Sequence, residues 1–177
     1  MSRSRDAAML ETLLDSWDRN NTILLNLLRI VPEGGLEARL VPDSPSVAEL
    51  FSHMSYVRLA FVYENAPELA NGPLPEEYAN ELNRDRIARS LDESAKAVRE
   101  AVRSRVESGQ PLNLHYDHPI HFMQHMIWHE GYHHGQIKLT LKATGRPITD
   151  RQAGRPTWGV WMLKTREEAA AAKAGRS

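Results

Sequence analysis

The chain has 177 residues, 41% hydrophobic and 25% charged, which is typical of a single globular domain. Its 22 basic and 23 acidic residues give a net charge of −1, so no overall field attracts nucleic acid or an anionic membrane. The absence of cysteine excludes disulfides, thiolate ligands and iron–sulfur clusters. Because we find neither a segment of ~20 apolar residues nor a signal peptide, we expect a cytoplasmic protein.

Apolar residues recur at helical spacing in four segments: residues 6–30, 46–63, 85–108 and 117–143. Four amphipathic helices of this length predict an all-α four-helix bundle. An aromatic segment with Trp158 and Trp161 follows, and we expect it to fold back over a groove or to pair with a second subunit. We assign residues 1–164 to one domain, and residues 165–177 to an Ala/Glu-rich tail that is a frayed helix or disordered.

Histidine is the one unusual feature of the composition, since seven of the eight histidines lie between positions 115 and 134. Those at positions 121, 125, 129 and 133 recur every four residues, so they form a ribbon that sweeps about 120° around the fourth helix. All four cannot face one point, but two imidazoles one turn apart can bind the same ion. His129 and His133 are predicted to lie on the inward face, where neutral imidazoles need a hydrogen-bond partner or a metal.

The remaining histidine, His53, lies on the apolar face of the second predicted helix. Facing helices of a bundle can project ligands into a shared site, so His53, His129 and His133 form a candidate metal centre. Three protein ligands leave one coordination position open, as in catalytic sites. The alternative is a structural bundle in which these histidines only stack or accept hydrogen bonds.

Two segments resemble the DinB/YfiT-like superfamily. Residues 129–137, HEGYHHGQI, are similar to its H-x-x-x-H-x-G-Q signature, and residues 46–54, SVAELFSHM, are similar to the segment that carries its second-helix histidine. The resemblance covers about residues 6–150 and implies a four-helix bundle, often a homodimer, with a metal on His53, His129 and His133. His134 departs from the signature, which usually has arginine there, and this puts in doubt any anion contact by that residue.

Three neutral histidines suit zinc, nickel, copper or ferrous iron, and the sequence does not choose among them. A bound ion could activate water, as in a hydrolase, or bind a low-molecular-weight thiol as its thiolate, as in an S-transferase. Some members of the superfamily are thiol-dependent transferases or isomerases, and others are hydrolases. We therefore expect a metal-dependent enzyme acting on a small molecule. The alternative is a metal-binding or stress-response protein without turnover.

The sequence offers no convincing general base. Weaker candidates for contact with the substrate or with the ligands are Glu49, Tyr56, His125, Tyr132 and Gln136. Glu49 also fits a capping box with Ser46, and Gln136 also fits a buried contact between helices. The pair Gly131 and Gly135 permits close approach of another helix, within the subunit or across a dimer, and of the two we favour packing inside the subunit.

Overall fold

The computed structural model describes residues 2–162, with side chains from residue 6 onward. This part of the chain contains five α-helices, α1 to α5 in chain order: Ser2–Ile30, Val47–Asn65, Arg84–Ser108, Pro119–Ala143 and Asp150–Ala153. Short 3-10 turns lie at Pro67–Leu69 and Trp158–Trp161. The predicted all-α fold is confirmed. The predicted tail at 165–177 lies outside the described residues, so the domain boundary at 164 stays a prediction. Within the described residues, no helix combines the length and apolar character needed to cross a bilayer.

Local sequence signals determine where the long helices begin and end. Ser46 and Glu49 form the predicted capping box at the start of α2, each side chain accepting a hydrogen bond from the backbone N–H of the other. At the start of α4 the imidazole of His118 accepts from a backbone N–H, and Pro119 follows where its missing N–H costs little. Helix α3 ends at Gly109, whose φ of 68° is in the left-handed region that favours glycine.

The interior contains two apolar clusters stacked along the bundle axis. We call them the Phe51 cluster and the Phe122 cluster. Each draws side chains from all four long helices: Leu24, Leu27, Phe51, Met54, Leu91, Ile137 and Leu141 in the first, and Leu14, Trp17, Val62, Val98, Val102, Phe122 and Met126 in the second. Burying such side chains stabilises the fold by about 1.5–3 kcal/mol each.

The order of these residues gives the direction of each helix. Along α1 and α4 the chain passes from the Phe122 cluster to the Phe51 cluster, whereas along α2 and α3 it passes the opposite way. Helices α2 and α3 are therefore parallel. The connection at 66–83 must return along the bundle to the beginning of α2, which brings this loop beside the part of α2 that carries His53.

A buried ion pair lies between the two clusters. Arg58 on α2 and Glu130 on α4 have side chains 0% and 1% exposed. The guanidinium donates from Nε to Oε1 at 2.5 Å and from Nη2 to Oε2 at 2.9 Å. This bidentate geometry fixes both the spacing and the rotation of α2 against α4.

Further polar groups extend this pair to the other two helices. On α1, Asn20 donates a short hydrogen bond to Glu130, and the side-chain oxygen of Asn21 accepts from Nη1 of Arg58 at 3.0 Å. On α3, the backbone carbonyl of Leu91 accepts from the same nitrogen at 2.6 Å. The polar layer therefore ties all four helices together, as a buried charge pair requires.

The outer face of α4 differs from our interpretation of its glycines. Gly131 and Gly135 are exposed, and a Cβ placed on either would meet nothing within 4 Å among the described residues. The interpretation as packing inside the subunit is therefore wrong. Trp128 and Tyr132 on the same face are 68% and 55% exposed, so this face is uncovered and presents two large aromatic side chains among polar residues.

The aromatic segment after α4 folds back onto the bundle. Arg19 on α1 donates to the carbonyl of Val160 at 3.0 Å, and Asn26 donates to that of Pro156 at 2.7 Å. Trp158 and Trp161 line a groove with residues of α1 and α4, although their side chains are 56% and 43% exposed. The segment therefore folds back over a groove, which is the first of the two alternatives that the sequence left open.

Replacing Arg58 by methionine is predicted to lower the free energy of unfolding by about 3–5 kcal/mol, because the charge of Glu130 stays buried without a counter-charge. Arg86→Met removes a guanidinium that is 70% exposed and paired with Glu81. This control should cost less than about 1 kcal/mol. Urea denaturation of the two variants measures the difference. Equal losses would contradict the role we assign to the buried pair.

Candidate metal centre

The structure brings together the three histidines that the sequence singles out. One ligand atom each from His53, His129 and His133 lies within 4.8 Å of the other two. The ring centroids of His53 lie 5.3 Å from His129 and 4.9 Å from His133, and those of His129 and His133 are 4.4 Å apart. His53 and His133 are buried and His129 is half-buried. The three rings converge from two helices on one point, where they could hold a metal ion.

The nitrogen atoms of this cluster fit a shared cation. Nε2 of His129 and Nε2 of His133 face each other at 3.0 Å, a hydrogen-bond distance. Two nitrogens with bonds of about 2.0–2.1 Å to one tetrahedral ion lie about 3.3 Å apart, so a small shift of the rings would let both bind one ion. Nδ1 of His129 is buried, and it has no hydrogen-bond partner among the described residues. The two Nε2 atoms can share one proton in a hydrogen bond, or both lone pairs can bind one cation.

Gln136 determines which nitrogen of His133 is free. Its side-chain Oε1 lies 2.6 Å from Nδ1 of His133, and its Nε2 donates to the hydroxyl of Tyr132 at 2.9 Å. Because an amide oxygen only accepts, Nδ1 of His133 carries the proton, and the lone pair of Nε2 points at His129. Gln136 therefore fixes the tautomer and ring orientation of His133, and its role beside a metal ligand stays a prediction.

All three imidazoles are held in the neutral form. Burial lowers the pKa of His53, although the nearby carboxylate of Glu77 partly opposes this. Burial also lowers the pKa of His129 to about 3, with help from the positive charge that His133, His53, His125 and Arg58 would contribute. The pKa of His133 is lowered by burial too, against the hydrogen bond to Gln136. Neutral imidazole is the form that binds transition metals.

The loop between α2 and α3 contributes two side chains that the sequence did not reveal. The ring of Tyr78 stacks on His53 with centroids 4.6 Å apart and planes 5° from parallel. Oε1 of Glu77 lies 3.0 Å from Nδ1 of His53, but too obliquely for a well-formed hydrogen bond, so the contact is electrostatic. Nothing in the loop sequence marks these residues. Only the return of the chain along α2 brings them to the site.

The weaker candidates occupy several different positions. The carboxylate of Glu49 accepts from Arg39 at 2.6 and 2.7 Å and from the backbone of Ser46 at 2.8 Å, so it anchors the loop before α2. Exposed His125 bonds through Nδ1 to the Tyr116 hydroxyl at 2.7 Å, and its ring lies 6.4 Å from that of His129.

Tyr56 is half-buried on α2. No hydrogen bond or ring contact connects it with the three histidines within the described part of the chain. Tyr132 lies beside the cluster, with its ring centroid 5.1 Å from that of His133. Of the five weaker candidates, Gln136 and Tyr132 therefore have the most direct contacts with the site.

The fold and the three converging histidines define a four-helix-bundle protein with a candidate histidine metal centre. The pattern of the DinB family matches residues 1–158, which is most of the chain. The protein therefore belongs to the DinB family. Comparison with curated proteins and with solved structures finds none that matches this chain.

Replacing Gln136 by leucine is predicted to weaken Zn²⁺ binding about 10–100-fold, because His133 loses the acceptor that fixes its tautomer and ring orientation. Gln124→Leu is the matched control, since Gln124 is exposed on the same helix. Competition with a chromophoric chelator measures both affinities. If Q136L and Q124L bind zinc equally well, Gln136 has no orienting role.

The metal-free protein is predicted to lose stability as the pH falls below about 6.5. In that range the unfolded chain protonates His129, whereas the folded chain, with a pKa of about 3, does not. His129 contributes a slope of at most about 1.4 kcal/mol per pH unit. Urea denaturation at several pH values between 7 and 4 should give a flatter profile for His129→Gln. The exposed-site variant His121→Gln should keep the wild-type slope, and an unchanged slope in H129Q would contradict the prediction.

Proposed function

We propose that this protein binds one divalent transition metal through His53, His129 and His133 and acts on a small molecule at the open side of that ion. The convergence of three neutral imidazoles within 4.8 Å carries the proposal. Zinc, nickel and ferrous iron all suit such a donor set. When bound, the ion would act as a Lewis acid on a water molecule or a thiol, which corresponds to a hydrolase or a thiol-dependent S-transferase.

The chain's own residues support chemistry beside the cluster. His133 and Gln136 line a cavity of about 550 Å³, a size typical of small-molecule sites. Tyr132 lines the same cavity, and its hydroxyl accepts a hydrogen bond from Gln136. This leaves the phenolic proton free to donate to a bound molecule. Gln136 thus positions His133 and Tyr132 together.

The cavity also favours an enzyme over the alternative, a metal-binding or stress-response protein without turnover. An ion held only for storage or sensing needs no adjacent space for a second molecule. Here a cavity opens onto His133, and Ser44, Tyr132 and Thr140, which carry hydroxyl groups, are among the residues that line it. The hydroxyl of Ser44 also bonds to the backbone of Val41. Such a wall can bind and orient a substrate next to the metal.

We also propose that the protein is a homodimer through the uncovered face of α4. Trp128 is 68% exposed there, and the neighbouring glycines, Gly131 and Gly135, allow a second helix to approach closely. Covering exposed aromatic side chains of this kind is a common reason for self-association.

Metal analysis of protein purified without a histidine tag tests the proposed centre. Wild-type protein should carry close to one equivalent of metal, and His53→Ala and His129→Ala should each lose most of it, because two imidazoles bind far more weakly than three. His121→Ala is the control. Its side chain is 62% exposed and pairs with Asp117, so this variant should retain the metal. Full occupancy in H53A would refute the three-histidine site.

A thiol titration then separates the two chemistries. Protein loaded with Co²⁺ should show a thiolate-to-metal absorption band with a low-molecular-weight thiol if the protein is an S-transferase. A hydrolase should show this band only at much higher thiol concentrations, because its site is not built to bind a thiol. Turnover of no small molecule, despite stoichiometric metal, would favour the non-catalytic alternative.

A further inference from the structure

The cavity beside His133 has a chemical character of its own. Ten residues line it: Leu40, Ser44, Pro45, Leu50, Tyr78, Tyr132, His133, Gln136, Leu139 and Thr140. They come from the loop before α2, from α2 itself, from the loop at 66–83 and from α4. One wall is therefore the metal-binding helix, and the other walls are mainly aliphatic and aromatic side chains. The cavity adjoins the candidate ion site through His133 and through Tyr78, whose ring stacks on His53.

No Lys, Arg, Asp or Glu is part of this lining. The nearby guanidinium of Arg39 is not available to a ligand, because it forms two hydrogen bonds of 2.6 and 2.7 Å with Glu49. The carboxylate of Glu77, at His53, adds a negative charge near the cavity, and the nearest lysines, Lys138 and Lys142, line a separate groove beyond Leu139. An anionic substituent in the cavity would therefore lose its hydration without gaining a counter-charge, which is costly.

Position 134, where the family signature usually has arginine, does not change this conclusion. The side chain of His134 lines a different groove, together with Trp158 and Trp161. It is absent from the cavity lining. A positive charge for an anionic substrate is thus missing from the cavity wall, and His134 does not replace it.

The rim of the cavity is apolar and exposed. Leu40 and Tyr78 are 46% and 41% exposed, and Tyr132 and Leu139 are each 55% exposed. All four are large side chains that line the same cavity from three segments of the chain. Exposed apolar side chains that are grouped around a concave surface mark a binding site more often than an ordinary surface does.

We infer that the cavity takes the uncharged, apolar body of a small molecule whose head group reaches the metal beside His133. The part of this inference that concerns the head group rests on the proposed function. The part that concerns the apolar body rests on the cavity lining alone. The hydroxyls and Gln136 orient the head, and the rim residues bury the body. Substrates with a carboxylate or phosphate away from the metal-binding end are excluded by the neutral lining.

Two matched thiols test this specificity on Co²⁺-loaded protein. Butanethiol and 3-mercaptopropionate are similar in length, but only the second has a carboxylate at the far end. Titration of the thiolate-to-cobalt band should give at least tenfold tighter binding for butanethiol. Affinity should also rise about fourfold for each methylene from ethanethiol to butanethiol, as expected for burial of apolar surface.

A second pair of probes works without metal and so separates the inference from the proposed function. N-phenyl-1-naphthylamine is uncharged, and 8-anilino-1-naphthalenesulfonate has the same rings with a sulfonate. Metal-free protein should bind the uncharged dye at least tenfold more tightly, measured by fluorescence titration. If the thiol band is absent but this preference holds, the thiol chemistry fails and the cavity inference stands.

Two variants, Leu40→Gln and Leu114→Gln, test whether butanethiol and the uncharged dye bind in the cavity. Both leucines are exposed loop residues, 46% and 52%, but only Leu40 lines the cavity. L40Q should weaken butanethiol and the uncharged dye at least threefold, and L114Q should match the wild type. Equal or tighter binding of the anionic probe in both pairs would overturn the inference, as would equal effects of L40Q and L114Q.

Discussion

The buried pair of Arg58 and Glu130 is the constraint on which the histidine cluster depends. It crosses from α2 to α4 between the two apolar clusters, and α1 and α3 complete its hydrogen bonds. A bidentate pair tolerates little change in distance or rotation. His129 precedes Glu130 directly, so the register that satisfies the ion pair also fixes the direction of this imidazole. The polar layer and the histidine cluster are thus two consequences of one helix–helix register.

The direction of the helices determines which connecting segments surround the three histidines. Because α2 and α3 are parallel, the connection between them must run back along the bundle, and it covers His53 with Glu77 and Tyr78. The loop before α2, held by Arg39 and Glu49, forms the opposite wall of the cavity. The helices therefore place the three histidines, and two connecting segments shape the adjacent cavity.

Much of this architecture could be predicted from the sequence. Apolar periodicity, the capping box at Ser46 and the proline at position 119 located the helices to within a few residues, because these signals act locally. The same periodicity placed His53 on a buried face, and the spacing of four residues linked His129 to His133. Two facing helices then brought the three together.

What could not be predicted depends on contacts between distant segments. Nothing near Arg58 in the sequence shows that Glu130 will neutralise it, and nothing in the loop identifies Glu77 as a neighbour of His53. The glycines at 131 and 135 permit close packing, but a pattern of small residues does not say whether the partner is internal. In this structure that face of α4 is uncovered.

Anomalous diffraction from crystals of the metal-loaded protein, recorded at the absorption edge of the bound ion, tests the central claim most directly. We predict one strong peak about 2.0–2.1 Å from a nitrogen of each of His53, His129 and His133. A peak on the outer histidines of α4, at His121 or His125, with the inner three rings unligated, would contradict it.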